Sequence, residues 1–231
     1  MKIQSFIPKI NEEGYIFIVI FAVIALFLSL FSNTLGWVGL ILTLWCVYFF
    51  RDPDRVTPQN EDLVVSSADG VVSKIEDIDF PKELGMSKTR GTRVSVFLNI
   101  FDVHVNRLPV EGKIAKTHYH PGAFFNASLD KASDENERQY VHIKTKKNKK
   151  DVVVTQIAGL IARRIVCHVE GGQDSNIGSR FGLIRFGSRV DIYLPSGVQV
   201  LVHENQRVIA GETLIASLTN SFPKDLEYKY H

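Results

Sequence analysis

Hydrophobic and polar positions divide the chain into two unlike parts. From Gly14 to Phe50 no residue is charged, and Tyr15 to Phe31 and Leu35 to Phe50 are almost wholly apolar around a polar break at Ser32-Asn33-Thr34. As a single helix this interval would be roughly 55 Å long at about 1.5 Å per residue, well beyond the ~30 Å hydrocarbon core of a bilayer. Two short helices joined at the polar break fit better, as a transmembrane or membrane-embedded helical hairpin. Lys2 and Lys9 precede the interval and Arg51 and Arg55 follow it. By the positive-inside bias, both ends and the whole following domain face the cytoplasm. A cleaved signal peptide fits poorly, because a second apolar run follows at once with no small-residue cleavage pattern between. A hairpin buried in a soluble core and a re-entrant or interfacial hairpin are the alternatives.

Arg51-Asp52-Pro53-Asp54-Arg55 breaks the helix with proline and supplies charge at headgroup height. The expected organisation is a membrane hairpin over 1–50, a linker over 51–62 and a β domain over 63–231. Within that domain Leu63-Val64-Val65, Gly70-Val71-Val72, Arg93 to Leu98, Gly112 to Ala115, Val152-Val153-Val154 and Leu214-Ile215-Ala216 are short apolar or alternating runs between turn residues. Asp69-Gly70-Val71-Val72, answered by Val208 to Leu214, resembles the hairpins of lipoyl- and biotinyl-type sandwiches. The fold class is therefore mainly β with lipoyl-like sandwich elements. Phe124 to Ala132 is the one short helix expected there. Lys144 to Lys150 reads as a basic hairpin tip: either a solvated turn, or a patch in which each lysine near an anionic membrane adds about 1 kcal/mol of attraction.

One strand carries a pair of residues with unusual chemistry. Val190, Ile192 and Leu194 alternate with Arg189, Asp191 and Tyr193 up to Pro195, a half-buried pattern entered directly from Gly187-Ser188. A serine after a glycine in a strained turn can fold its hydroxyl back onto the preceding carbonyl, shifting the acyl group from nitrogen to oxygen. Elimination from that ester severs the chain and leaves dehydroalanine, which hydrolyses to a pyruvoyl group. Such a ketone condenses with a substrate amine and absorbs the electrons released by decarboxylation. An ordinary turn explains most Gly-Ser pairs, and Gly178-Ser179-Arg180, which repeats the tripeptide, fits that reading better.

Phe101 to Asn106 also alternates, with Asp102, His104 and Asn106 on one face of an expected strand. A histidine among polar neighbours suits proton transfer near neutral pH, or simply hydrogen-bonds across the sheet. Arg163 and Arg164 sit in an apolar run, where adjacent strand side chains point to opposite faces. One would then point inward and need an anion, a carboxylate or lipid phosphate, unless it pairs with Glu170 or Asp151.

The 231 residues and net charge of +2 allow one ordinary domain plus an appendage, and no nucleic-acid partner is expected. Cys46 and Cys167 lie in separate apolar runs with no His or Cys at ligand spacing, so neither a disulfide nor a metal site is expected.

Arg185 to Pro195 resembles the processing segment of the phosphatidylserine decarboxylase proenzymes, in the short bacterial branch whose serine follows Phe-Gly. The resemblance extends through Phe49 to Arg55, Ala68-Asp69-Gly70, Asp102 to Pro109, Pro121-Gly122, Asn136-Glu137-Arg138 and Gln156 to Arg164, in the family's order. It implies self-cleavage between Gly187 and Ser188, giving a β chain 1–187 and an α chain 188–231 that stay together as a heterodimer. The cofactor implied is pyruvate, as a covalent pyruvoyl group made from Ser188. The activity implied is decarboxylation of phosphatidylserine to phosphatidylethanolamine at the cell (inner) membrane.

His104 matches an active-site histidine and Asp69 the aspartate of a self-cleavage triad. The longer bacterial branch has the triad base three residues after His104, where this chain has Arg107. His104 is then the first candidate for the base, with His118 and His120 behind it. His118 to Gly122 resembles a loop that closes over the site, with His120, Arg163 and Arg164 as candidate substrate-binding residues. A membrane-anchored self-cleaving serine hydrolase using Ser188, His104 and Asp69, a non-enzymatic lipoyl-like binding module, and the same decarboxylation on an ether-lipid serine headgroup stay open on sequence.

Overall fold

A computed structural model describes residues 9–86, 88–125, 135–160, 164–185, 187–219 and 226–231. The chain divides into two compact units, Met1–Asp54 and Arg55–His231.

The first unit is a helical hairpin, Tyr15–Ser29 and Asn33–Phe49. The polar break works slightly earlier than its composition suggests: Ser32 takes the extended N-cap conformation and Asn33 already begins the second helix. Small residues let the two backbones approach, since a Cβ on Gly39 would lie 2.6 Å from that of Ala25, and one on Gly36 would lie 2.7 Å from that of Ser29. Hydroxyls within the helices are satisfied locally, Ser29 on Leu26 O (2.6 Å) and Thr43 on Gly39 O (2.8 Å). Ile16, Val19, Val23, Leu26, Trp37 and Ile41 project outward and are exposed. Helices apolar on every face have no reason to be stable against water. One segment, Glu12–Ser29, is long and apolar enough to cross a membrane, and Asn33–Phe49 is shorter.

The second unit is built from strands, as expected. Eight of them form one curled antiparallel sheet in the order Asp174–Ser175, Gly112–His120, Arg138–Thr145, Asp151–Ala158, Ser188–Pro195, Arg90–Leu98, Gly70–Asp79 and Arg207–Val208. Two three-stranded sheets accompany it: Ile165–Cys167 with Arg180–Ile184 and Val105–Arg107, and Gln199–Val200 with Leu214–Ser217 and Leu63–Val65. The two stretches that resemble lipoyl-type hairpins do pair, Arg207 opposite Val71 and Val208 opposite Gly70. Val56–Gln59, assigned to the linker on sequence, is a strand paired with Glu227–Tyr230.

Ser188–Pro195 is central to the large sheet, and its alternation has a meaning the sequence did not supply. Val190, Ile192 and Leu194 enter the main core with Val94, Val96, Val152 and Val154. The intervening positions are not solvated: Asp191 is 0% and Arg189 4% exposed, so the strand is buried on both faces. Their charges are instead paired internally, with Arg189 Nη2 on Asp191 Oδ2 at 3.0 Å and Arg93 between Asp191 (3.7 Å) and Glu76. A pattern of period two thus separates an apolar face from an ion-pair face, where half burial was expected.

On that ion-pair face Arg138 also binds Glu83 (Nη2 to Oε1, 2.8 Å). Burial alone would raise the Glu83 and Glu76 carboxyls. The hydrogen bonds from Arg138 to Glu83, and from Lys74 and Arg93 to Glu76, outweigh it and hold both below their ordinary 4.5. A carboxyl whose folded-state pKa is the lower one stabilises fully above the ordinary range and loses that contribution as pH falls through the folded value. Thermal stability should therefore drop steeply below about pH 4. Glu83→Gln should lower the melting temperature at pH 7 and flatten that acid limb; an unchanged limb would mean the Arg138 pair adds nothing.

The basic tip is held by acids. Lys146 binds Glu61 at 2.9 Å, Lys147 binds Asp62 at 2.6 Å, and Asn148 donates to the same Asp62 at 3.0 Å. Of the expected helix Phe124 to Ala132, residues 126–132 lie outside the described residues, and Phe124 and Phe125 are not helical.

Candidate active site

The Gly187-Ser188 peptide lies where the large sheet begins its central strand. Ser188 opposes Leu98 on one side and Ala158 on the other, with its side chain on the same sheet face as Val190. The residue is 0% exposed, and its Oγ has no hydrogen-bond partner among the described residues. A buried hydroxyl left unsatisfied costs roughly 1–3 kcal/mol, so such an atom in a native fold calls for a reason. Gly187 supplies the bend into the strand at φ +62°, a left-handed conformation that favours glycine. The earlier Gly178-Ser179 pair is a plain turn, closed by Ser179 N–H on Asn176 O at 3.1 Å.

His104 reaches this peptide. The N–H of Gly187 donates to His104 Nε2 at 3.3 Å, and His104 Nδ1 lies 3.0 Å from the carbonyl oxygen of Asp102. Since Nε2 accepts, the ring proton is assigned to Nδ1, where it donates to Asp102. The imidazole is then neutral, with its lone pair at the residue preceding Ser188. The expected strand from Phe101 is a correction: only Val105–Arg107 is extended, and Asn99 to Asp102 forms a turn in which Asp102 N–H donates to Asn99 O at 3.0 Å and Asp102 Oδ2 accepts from Asn99 N–H at 2.9 Å. Alternation failed here because these polar residues close a turn and are themselves buried. Asp102 and His104 are each 1% exposed.

Arg107, standing where the longer branch has its histidine, is among the largest fully buried side chains and donates to Gly178 O at 2.8 Å. An arginine stays protonated at any working pH, so it is no base. Asp69 is half-buried; its carboxylate binds Arg55 at 2.7 Å and accepts from Ala210 N–H at 2.8 Å. The glycine after it is required by close approach, because a Cβ on Gly70 would lie 2.1 Å from Phe97 O, one residue before Leu98.

The remaining candidates are not gathered at Ser188. His118 and His120 end the Gly112–His120 strand opposite Tyr140 and Arg138, on the ion-pair face of the sheet, where a closing loop was expected. Burial and then the Arg138 charge lower the His120 pKa, so it is neutral at pH 7. Arg163 lies outside the described residues. Arg164 is exposed and lies beyond the end of Asp151–Ala158, outside that strand. Asp151 is occupied by His142 (2.7 Å) and Lys144 (2.9 Å).

Asn136 is the residue that sequence reasoning missed. Fully buried, it donates through Nδ2 to Ala158 O (2.7 Å) and Phe125 O (2.8 Å) and accepts from Phe125 N–H at 2.9 Å. It therefore clamps a neighbouring loop to the residue that faces Ser188. Its only sequence signal was its place in Asn136-Glu137-Arg138.

Residues 42–216 match the family model for phosphatidylserine decarboxylase. The chain is 53% identical over 221 residues to the phosphatidylserine decarboxylase proenzyme of Rickettsia akari (strain Hartford), covering 96% of this chain and 94% of the relative. The proenzyme of Rickettsia felis is likewise 53% identical over the same shares, and that of Rickettsia prowazekii (strain Madrid E) 52%.

Proposed function

Because the chain belongs to the phosphatidylserine decarboxylase family, we propose that it severs itself at Gly187-Ser188 and then decarboxylates phosphatidylserine to phosphatidylethanolamine. The observation that carries this reading is the buried, unpartnered Ser188 Oγ beside a left-handed glycine whose N–H is held by His104 Nε2.

Processing uses the chain's own atoms. Ser188 Oγ attacks the Gly187 carbonyl carbon while His104 Nε2 takes the hydroxyl proton; the C–N bond breaks and the nitrogen of Ser188 gains a proton, leaving an ester. Loss of the Ser188 Cα proton expels the Gly187 carboxylate and leaves dehydroalanine, and water then replaces its nitrogen, which departs as ammonia. No oxidant is needed. Asp102 fixes the tautomer of His104 through its carbonyl, and Arg207 neutralises the buried Asp102 carboxylate. Asp69, pinned by Arg55 and Ala210, is assigned to orienting this region.

Ser188 is fully buried, with its hydroxyl unsatisfied among the described residues, a setting that suits a small uncharged keto group, which would supply an electron sink for the carboxylate's electrons when in place. In turnover His104, once protonated, returns the proton to the substrate carbon that loses carbon dioxide. The β chain 1–187 and α chain 188–231 stay joined because Ser188–Pro195 is ladder-bonded on both sides by strands of the β chain. We place the hairpin in the inner membrane and the β domain on its cytoplasmic side, on the apolar Glu12–Ser29 segment and the flanking lysines and arginines.

Purified protein given phosphatidylserine labelled in the serine carboxylate should release one labelled carbon dioxide for each phosphatidylethanolamine formed. Full retention of the label in the lipid would refute the activity.

A further inference from the structure

Three loops at the Ser188 end of the large sheet hold large apolar side chains in solvent. Ile100 and Phe101 follow Leu98, one cross-ladder neighbour of Ser188, and Leu160 follows Ala158, the other. Phe124 and Phe125 are fastened to the same Ala158 by the Asn136 amide. Phe101 is 58%, Leu160 67% and Phe125 45% exposed. A soluble monomer gains nothing from three such loops converging on one rim.

We infer that this rim is the surface that inserts into a phospholipid bilayer, resting on the proposed lipid substrate. Lifting a diacyl lipid clear of the membrane exposes every methylene of its chains to water, so a site that processes its headgroup must meet the lipid at the interface. Apolar loops around Gly187-Ser188 bring the site there. Charged residues next to these loops carry both signs, Arg164 and Arg185 against Glu135 and Glu137, and Arg207 is paired with the buried Asp102 carboxylate. Insertion is therefore driven by apolar burial and is largely indifferent to salt. The lysine tip is the wrong contact: the eight-residue strand Asp151–Ala158 separates it from Ser188 by about 24 Å, and Lys146 and Lys147 are bound to Glu61 and Asp62.

The test uses the full-length, processed protein in phosphatidylcholine vesicles, with an environment-sensitive fluorophore on a single cysteine at position 101, 160 or, in the tip, 149, in a background where Cys46 and Cys167 are serine. Labels at 101 and 160 should be quenched at least twofold by acyl-chain nitroxide lipids, at low and high salt alike, and the label at 149 should not. Rim labels quenched by aqueous iodide alone would overturn the inference, as would labels shielded from both quenchers that cross-link between copies. Independently, Phe101→Asp combined with Leu160→Asp should leave self-cleavage and turnover of short-chain phosphatidylserine in detergent micelles intact, and lower turnover in vesicles about tenfold. Equal turnover in both would also overturn it. A wild-type protein inactive on micelles and vesicles alike would instead indict the proposed activity, wherever the labels sit.

Discussion

Ser188→Ala is expected to yield one uncleaved chain with no decarboxylase activity. The substitution removes a single oxygen from a residue that is 0% exposed and whose Oγ has no hydrogen-bond partner among the described residues, so folding should not suffer. Losing an unsatisfied buried hydroxyl is neutral or mildly stabilising. Chemistry loses everything, since that oxygen is both the attacking atom and the leaving group whose elimination creates the ketone. A denaturing gel and a carbon dioxide assay read the result. Two fragments from the alanine variant would mean that cleavage does not depend on this hydroxyl, and the account would fail at its first step.

The second large effect is expected at His104. Replacement by alanine should slow self-cleavage about 10²–10⁴-fold, the usual worth of a positioned general base. Gln should not rescue it, because an amide cannot accept the hydroxyl proton. The His104 ring's bonds to Asp102 O and Gly187 N–H both lie at the site, and the melting temperature checks that the fold survives. Accumulation of precursor over hours, followed by gel densitometry at constant melting temperature, measures the loss. Cleavage at the wild-type rate would pass the role of base elsewhere, and His118 and His120 are poor heirs, being on the ion-pair face of the sheet.

Much of this arrangement is legible in the sequence, and what is not has identifiable causes. Short β-branched runs such as Val152-Val153-Val154 and Arg93 to Leu98 announced their strands because nothing local competes with them. The apolar interval from Gly14 to Phe50 announced two helices by length alone. Alternation misled twice. In Ser188–Pro195 it was read as half burial, whereas Arg189 and Asp191 neutralise each other inside the protein. In Phe101 to His104 it described a turn, because the Asp102 carboxylate and Asn99 side chain cap local N–H groups and override the strand. The clamp by Asn136 was invisible, since its bonds join residues 11 and 22 positions away and no spacing rule encodes them. Pairing of the lysine tip with Glu61 and Asp62 across more than 80 positions was hidden for the same reason.

The most direct test of the central claim is an intact-mass measurement of the mature wild-type protein, with and without phenylhydrazine. The account predicts two chains of 187 and 44 residues, since 231 − 187 = 44. The smaller should be lighter by one ammonia than its encoded segment and should take up one hydrazine. A continuous chain of 231 residues, or a smaller fragment that still begins with serine and ignores the reagent, would contradict it.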